Sequence, residues 1–266
     1  MRKNLLITLC LFCLPTFSFA QAYDDLAQVE VLTGWRTASG DHIAGLEVTL
    51  APGWITYWRA PGGAGIPPEF RFERSDNIQS ITPHWPTPGV YVSDGVRSIG
   101  YYDHIVFPLT ISVDKDAGDI PLRGEMTIGV CAEICIPVTL QFDAVLPQVG
   151  AVNSAISAAL KAEPMTAAEA NVATVTCFIE PISDGIQLTA KVDVPIPKNT
   201  EFVTVEASDP NVWVSEADVS RDGGQLIATV DMVHPSGAPF ALDRSGVRFT
   251  VFGAERAIDI RGCAAG

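Results

Sequence analysis

The sequence predicts an all-β protein: two immunoglobulin-like β-sandwich domains joined by a short α-helical linker. Three observations carry this. Short apolar, β-prone runs recur along most of the chain with Gly, Pro and Asp turn signals between them. One alanine-rich stretch, residues 151–173, breaks that pattern with helical character. After a leader, four cysteines remain, two close together in the first half and two bracketing the second.

Taken in order, residues 1–20 read as a secretion signal. Arg2 and Lys3 give a positive start, Leu5 to Phe17 is an apolar core too short to span a bilayer, and Ser18-Phe-Ala20 offers small residues for cleavage. Cys10 and Cys13 leave with it. The expected setting is therefore the periplasm, where disulfides persist. No later apolar run reaches transmembrane length, so no membrane span is expected in the mature chain.

The chain has 17 basic and 31 acidic residues and a formal charge of -14, which becomes -16 when Arg2 and Lys3 are removed. Such a surface repels phosphate backbones and anionic membranes, so nucleic acid is not an expected partner.

Residues 21–150 form the expected first sandwich. Strands are predicted at Val29 to Thr33 and His42 to Leu50. The aromatic run Gly53 to Arg59 follows, and then a loop from Ala60 to Pro68 whose glycines and prolines disfavour regular structure. Glu69 to Phe72 resumes as a strand. Pro83 to Pro88 is an irregular crossing that leads to strands at Val90 to Ser93, Ile99 to Tyr102 and Ile105 to Val113, with a turn at Asp94-Gly95. The domain closes with Thr127 to Phe142, which reads as strand, cysteine-bearing connection and return strand. Val138, Leu140 and Phe142 alternate with Thr139 and Gln141, and Pro137 suits a strand start.

In residues 151–173, Asn153 or Ser154 caps a short helix, Pro164 stops it, and Thr166-Ala-Ala-Glu169 is a capping box that opens a second. Residues 174–266 form the expected second sandwich. Its strands are predicted at Thr174 to Ile179, Ile186 to Val194, Phe202 to Glu206, Trp213 to Val219, Leu226 to Met232, Val247 to Phe252 and Ala257 to Ile260.

Four cysteines allow three pairings, and spacing favours Cys131 with Cys135 and Cys177 with Cys263. The second bridge would close a loop of about domain length and stabilise by about 4 to 5 kcal/mol in the chain-entropy relation, a structural role. The first closes a very short ring. Short rings remove little entropy from the unfolded chain, so redox exchange is the sharper reading of Cys131 and Cys135. Glu133 between them disfavours thiolate at either sulfur, since a nearby like charge opposes the charged form.

Metal binding is the chemical competitor. Two cysteines supply half of a tetrahedral zinc shell, with His84 or His104 needed in space, and the four methionines do not cluster for Cu(I). No metal and no cofactor is expected. His42 and His234 read as ordinary surface or strand residues, and no hydrolase triad or phosphate-binding glycine loop stands out. Trp54, Tyr57, Trp58 and Trp85 are candidates either for the sandwich core or for a place beside the sulfurs.

Three segments of the first domain carry a resemblance: Gly53-Trp-Ile-Thr-Tyr-Trp-Arg-Ala-Pro-Gly62, Ser98-Ile-Gly-Tyr-Tyr102 running into Val106-Phe-Pro-Leu109, and Gly129-Val-Cys-Ala-Glu-Ile-Cys-Ile-Pro137. They resemble the periplasmic amino-terminal region of DsbD-type thiol-disulfide interchange proteins, especially the suppressor of copper sensitivity B type. Cys177-Phe-Ile-Glu-Pro-Ile-Ser-Asp-Gly185, Asp209-Pro-Asn-Val-Trp-Val-Ser215 and Ala241-Leu-Asp-Arg-Ser-Gly246 extend the likeness into the second domain. The resemblance implies an exchangeable Cys131/Cys135 pair attacked at Cys135, aromatics Trp54, Tyr57 and Tyr101 near the sulfurs, and a shielding loop from Tyr91 to Ser98. Here the loop carries Asp94 and Val96 at its tip, where the DsbD type has an aromatic residue, and the cysteine spacing is shorter. The implied partners are a membrane electron-donor protein and periplasmic thioredoxin-like proteins, since the membrane and thioredoxin-like portions of the family have no expected counterpart within residues 1–266. A non-catalytic interaction or assembly module with purely structural disulfides is the alternative.

Overall fold

A computed structural model describes residues 26–63, 65–75, 77–93, 95–195, 202–253 and 256–266. The signal segment and Asp94 lie outside the described residues. The first half contains β1 (Ala27–Arg36), β2 (His42–Leu50), β3 (Ile55–Gly62), β4 (Glu69–Phe72), β5 (Ile78–Pro83), β6 (Gly89–Ser93), β7 (Val96–Tyr102), β8 (His104–Val113), β9 (Ile120–Cys131) and β10 (Cys135–Leu146). After α1 (Ser154–Lys161) come β11 (Met165–Thr166), β12 (Val175–Pro181), β13 (Ile186–Asp193), β14 (Phe202–Glu206), β15 (Trp213–Val214), β16 (Asp218–Asp222), β17 (Gln225–Val233), β18 (Arg248–Phe252), β19 (Ala257–Arg261) and β20 (Ala264–Ala265).

These strands build two β-sandwiches. In the first, a sheet ordered β1-β2-β8-β5 faces one ordered β10-β9-β3-β7-β6, with β4 also paired to β9. Period-two alternation supplies the core between them, because inward residues such as Leu46, Val48, Phe107, Leu109, Leu122, Met126 and Ile128 are buried while their neighbours face outward. The β9–β10 hairpin is the longest pairing, in register from Ile120↔Leu146 to Cys131↔Cys135. On β10 the expected face is present, with Val138 and Phe142 buried, and Pro137 is accommodated because β10 is an edge strand. The second sandwich packs the sheet β11-β19-β18-β14 on β15-β17-β13-β12-β20, with β16 also on β17.

The sequence reading has no counterpart of β5, which pairs with β8, nor of the two-residue β11 and β20, and three further elements differ from it. The aromatic run after Gly53 is strand β3, which continues through Pro61 to Gly62 across an irregularity in its pairing with β7. Gly62 adopts φ +87° opposite Ser98, a conformation that glycine reaches without a Cβ penalty. The run from Trp213 to Val219 is two short strands, each pairing a different part of β17, and Trp213 itself is 61% exposed. The capping box forms its reciprocal bonds, Thr166 N–H to Glu169 Oε2 at 2.8 Å and Glu169 N–H to Thr166 Oγ1 at 3.3 Å, yet encloses one turn only. Thr166 is already committed to β19, Asn171 turns the chain at φ +52°, and too few apolar residues follow to bury a helical face.

The one helix between the sandwiches is docked rather than free. Asn153 caps it by accepting from the Ala155 and Ile156 amides. Ile156 packs with Ile43 and Val106 on the outer side of the first sheet, and Gly45 leaves the space, since a Cβ there would lie 3.0 Å from Ile156 Cγ1. The helix end is tied to the 84–88 crossing by Thr87 N–H to Ala162 O at 2.7 Å and by His84 Nδ1 against the Glu163 carboxylate at 3.1 Å.

The open end of the first core is closed by the second sandwich. Trp58 is fully buried and meets Phe252 edge-on at 5.6 Å between centroids. Arg59 lies over the Trp58 ring at 3.7 Å and reaches Glu206 at 3.2 Å, the Thr250 hydroxyl at 3.0 Å and Asp259 at 3.5 Å. Burial pulls the Arg59 guanidinium down to about 10 despite those carboxylates, and burial likewise pushes the Glu206 carboxyl above its ordinary range. Arg248 completes the group with paired bonds to Asp259. Removing one member of such a group leaves the other uncompensated. Arg59→Met is expected to lower stability by about 2–3 kcal/mol, less than for a wholly dry pair because the Glu206 side chain keeps 24% exposure. A carboxyl whose folded pKa is raised favours the folded state at low pH and loses that contribution as pH rises through the folded value. The deficit of Arg59→Met in thermal unfolding should therefore be largest near neutrality and shrink as the pH falls into the carboxylate range.

Candidate functional site

The site lies on the outer face of the β10-β9-β3-β7-β6 sheet, where β9 ends and β10 begins. Cys131 and Cys135 stand directly opposite each other in register, with Cα atoms 4.1 Å apart, and are joined by a disulfide. Alternation along β9 explains their placement, since Ile128 and Val130 point into the core and Gly129 and Cys131 point away from it. The two sulfurs have unequal surroundings. Cys131 is 3% exposed, packed with Ile55 and Tyr57 of β3 and Tyr91 of β6, whereas Cys135 is exposed.

Tyr57 is the polar group on the pair. Its hydroxyl lies 3.4 Å from the Cys135 sulfur. Burial pushes its phenol above the ordinary value, opposed by a hydrogen bond from Ser98, and the neighbouring Tyr102 adds to the rise. The ring is held by glycines. A Cβ on Gly65 would meet Tyr57 Cδ1 at 2.5 Å, and one on Gly129 would meet Ile66 Cβ at 2.7 Å and Tyr57 Cδ2 at 3.3 Å. Gly65 and Ile66 therefore lie down over Tyr57 and the Gly129 backbone, an approach that only glycine permits at positions 65 and 129. Tyr91 is likewise half-buried, edge-on to Tyr102 at 4.6 Å, and burial raises its phenol too.

Of the residues singled out from sequence, Cys131, Cys135 and Tyr57 come together, and Glu133 is exposed in the turn between the cysteines. Tyr101 faces the other way. It is buried in the sandwich core, edge-on to Phe107, and donates from its hydroxyl to Pro86 O at 2.7 Å. Trp54 packs half-buried against the same core, and Trp85 sits between Phe70 and Phe107. Val96 is exposed on the β6–β7 hairpin. Tyr91 and Ser98, the ends of the expected shielding loop, lie at the site, and Ile55 and Gly129 join it without a sequence expectation. The signal for Ile55 is the two-residue period it shares with Tyr57, which becomes visible once residues 55–62 are taken as a strand.

Cys177 and Cys263 form the second disulfide, Cα atoms 5.7 Å apart, with Cys177 fully buried where β12 meets β20. Among the described residues no group of three or more His, Cys, Asp or Glu side chains is placed to hold a metal ion. His84 is engaged with Glu163 and Thr110, and His104 with Glu47. His42 is buried on β2, its ring against Thr33 O, and burial lowers its pKa. No described helix is long and apolar enough to cross a membrane.

Three comparisons place this geometry. The family model for the N-terminal region of thiol:disulfide interchange protein DsbD matches residues 24–147. Among solved structures, the N-terminal periplasmic domain of ScsB from Proteus mirabilis superposes with a TM-score of 0.68 at 24% sequence identity, covering 91% of this chain and 95% of that one. The two-sandwich fold is thus shared along nearly the whole of both. No curated protein matches the sequence. Residues 24–147, with the cysteine hairpin at their end, belong to the family of DsbD N-terminal domains.

Proposed function

We propose that this protein is a periplasmic thiol-disulfide interchange protein, passing electrons to or from partner proteins through reversible opening of the Cys131–Cys135 disulfide. The observation that carries this is the inequality of the two cysteines, one an exposed residue whose sulfur meets a tyrosine hydroxyl, the other a residue 3% exposed. Exchange needs one sulfur that a partner can approach in line and one that leaves and later returns. Cys135 suits the first role and Cys131 the second.

When the pair accepts electrons, a partner thiolate attacks Cys135, the S–S bond breaks, and Cys131 leaves with the bonding pair and takes up a proton. The partner's second thiolate then attacks its own sulfur in the mixed disulfide, releasing Cys135 as thiolate and closing the partner's disulfide. Two electrons have moved, and the reverse sequence donates them. The Tyr57 hydroxyl, kept protonated by burial, donates to the Cys135 sulfur and favours the thiolate that both directions require. The family membership supports the same class of reaction. The partners it favours are a membrane protein that supplies electrons and thioredoxin-like proteins that exchange them. The Cys177–Cys263 bridge is assigned a structural role in this reading.

Trapping tests the roles. Cys131→Ala, which leaves the exposed Cys135, is expected to capture a thioredoxin-like protein as a mixed disulfide in periplasmic extract. Cys135→Ala is expected to capture it far more weakly. Equilibration in dithiothreitol buffers should place the Cys131–Cys135 couple above roughly -300 mV, with Cys177–Cys263 below it. A Cys131–Cys135 bridge as resistant as the other, together with equal or absent trapping, would overturn the proposal in favour of an interaction module.

Charge in the turn should modulate the rate. Glu133→Gln is expected to speed alkylation of the reduced pair by roughly two- to threefold, the effect of one exposed charge a few ångströms away in high dielectric. An unchanged rate would remove Glu133 from the site.

A further inference from the structure

β3 and β7 each carry neighbouring residues on opposite faces, and the second sandwich holds the inner ones. Tyr57 and Ser98 face outward by the sulfurs, while Trp58 and Arg97 face the second sandwich. Arg97 stacks on the Phe202 ring of β14 at 4.2 Å and pairs with Glu216, between β15 and β16, at 2.8 Å. Trp58 meets Phe252 of β18. The two strands also lock to each other there, since a Cβ on Gly62 would lie 2.4 Å from the Arg97 carbonyl oxygen. The second sandwich therefore grips each strand one residue away from the groups that set the Tyr57 hydroxyl.

We propose that the second sandwich is a positioning element for the redox pair: by holding Arg97 through Glu216 and Phe202, and Trp58 through Phe252, it fixes Ser98 and Tyr57 so that the hydroxyl stays on the Cys135 sulfur. This rests on the exchange reading and adds to it a role for the second domain. Glu216 touches neither cysteine; its influence runs through Arg97 to strand β7, which pairs with β3 at Tyr57↔Gly100 and Gly62↔Ser98, and so to Tyr57. A hydroxyl held on the sulfur stabilises thiolate when the bridge opens, and a hydroxyl free to swing does so for only part of the time. Among the described residues, the titratable and charged groups at this end of the sheet are Tyr57 on β3, Tyr91 on β6, Arg97 and Tyr102 on β7, Asp103 just beyond it, Glu133 in the turn, and Glu216 of the second sandwich against Arg97.

The test uses the mature protein with Cys131–Cys135 reduced and Cys177–Cys263 intact, and follows the pH dependence of iodoacetamide alkylation at Cys135 by peptide mass. Tyr57→Phe should raise the midpoint by about one pH unit, tenfold less thiolate at a fixed pH below it. Glu216→Ala, a change at a side chain 47% exposed and so of small effect on folding, should raise it in the same direction by about half as much, and Arg97→Ala likewise. The double variant Tyr57→Phe/Glu216→Ala should coincide with Tyr57→Phe, because the second change acts only through the hydroxyl already removed. An unchanged midpoint in Glu216→Ala and Arg97→Ala, or a shift that adds to that of Tyr57→Phe, would overturn the positioning role while leaving exchange intact. A wild-type Cys135 that alkylates no faster than Cys131 would overturn the exchange reading, and the positioning role with it.

Discussion

Alternation along β3 sends Ile55 and Tyr57 to one side of its sheet and Thr56 and Trp58 to the other, and the molecule is fitted to that division. The outer pair forms the floor under the sulfurs. The inner pair looks into a sandwich core whose end the first domain leaves open, and Phe202, Phe252 and Ala257 of the second domain complete that core. A one-residue slip of β3 would put Trp58 beside the disulfide and Tyr57 among aliphatic side chains, so core and site specify the register together. The glycines on either side of Tyr57 follow from the same constraint, since a ring buried on an outer face needs cover, and residues 65 and 66 supply it only by close backbone approach.

The two disulfides contrast for a related reason. The bridge from Cys177 to Cys263 spans 86 positions and ties the second domain's first strand to its end, where the chain-entropy relation gives about 4–5 kcal/mol. The bridge from Cys131 to Cys135 spans 4 positions, and the same relation gives about 2 kcal/mol. Even that overstates its importance to the fold. Twelve residue pairs in register already hold β9 against β10 from Ile120 to Cys131, so the cysteines stay opposite each other whether or not they are bonded. A hairpin that keeps its geometry through a redox cycle presents the same surface in both states.

Much of the fold was legible, because a half-buried strand writes its period into the sequence. The bounds of β2, β4 and β14 follow from apolar alternation between turn residues, and so does the cysteine hairpin. Less legible was anything that depends on which face an aromatic takes. Tyr57 and Tyr101 are alike in composition and context, yet one bonds a sulfur and the other donates to Pro86 O inside the core. The difference is one of strand parity: Tyr101 pairs with Thr56 and shares its inward face, while Tyr57, one residue on, points outward. The capping box at Thr166 was legible as chemistry and misleading as length, since its hydrogen bonds are satisfied by a single turn. Contacts between domains left no local trace at all: nothing near Arg97 in the chain points to Glu216 or Phe202.

The charges buried between the domains bear on why the two sandwiches meet in one arrangement. Arg59, Glu206, Arg248 and Asp259 gain little net stability from being together, because desolvating four charges offsets most of their attraction, and the downward shift at Arg59 and upward shift at Glu206 record that cost. What they add is intolerance of displacement. The apolar part of the contact, Trp58 on Phe252, would keep most of its burial if the domains slid by an ångström or two. Arg59 would not, since it reaches carboxylates on β14 and β19 and a hydroxyl on β18 at once, and any slide leaves one of them buried without its partner. A contact that is apolar in area and ionic at its centre therefore holds its alignment more firmly than its strength would require. Firm alignment is what a domain needs if it is to hold a tyrosine hydroxyl on a sulfur from the far side of a sheet.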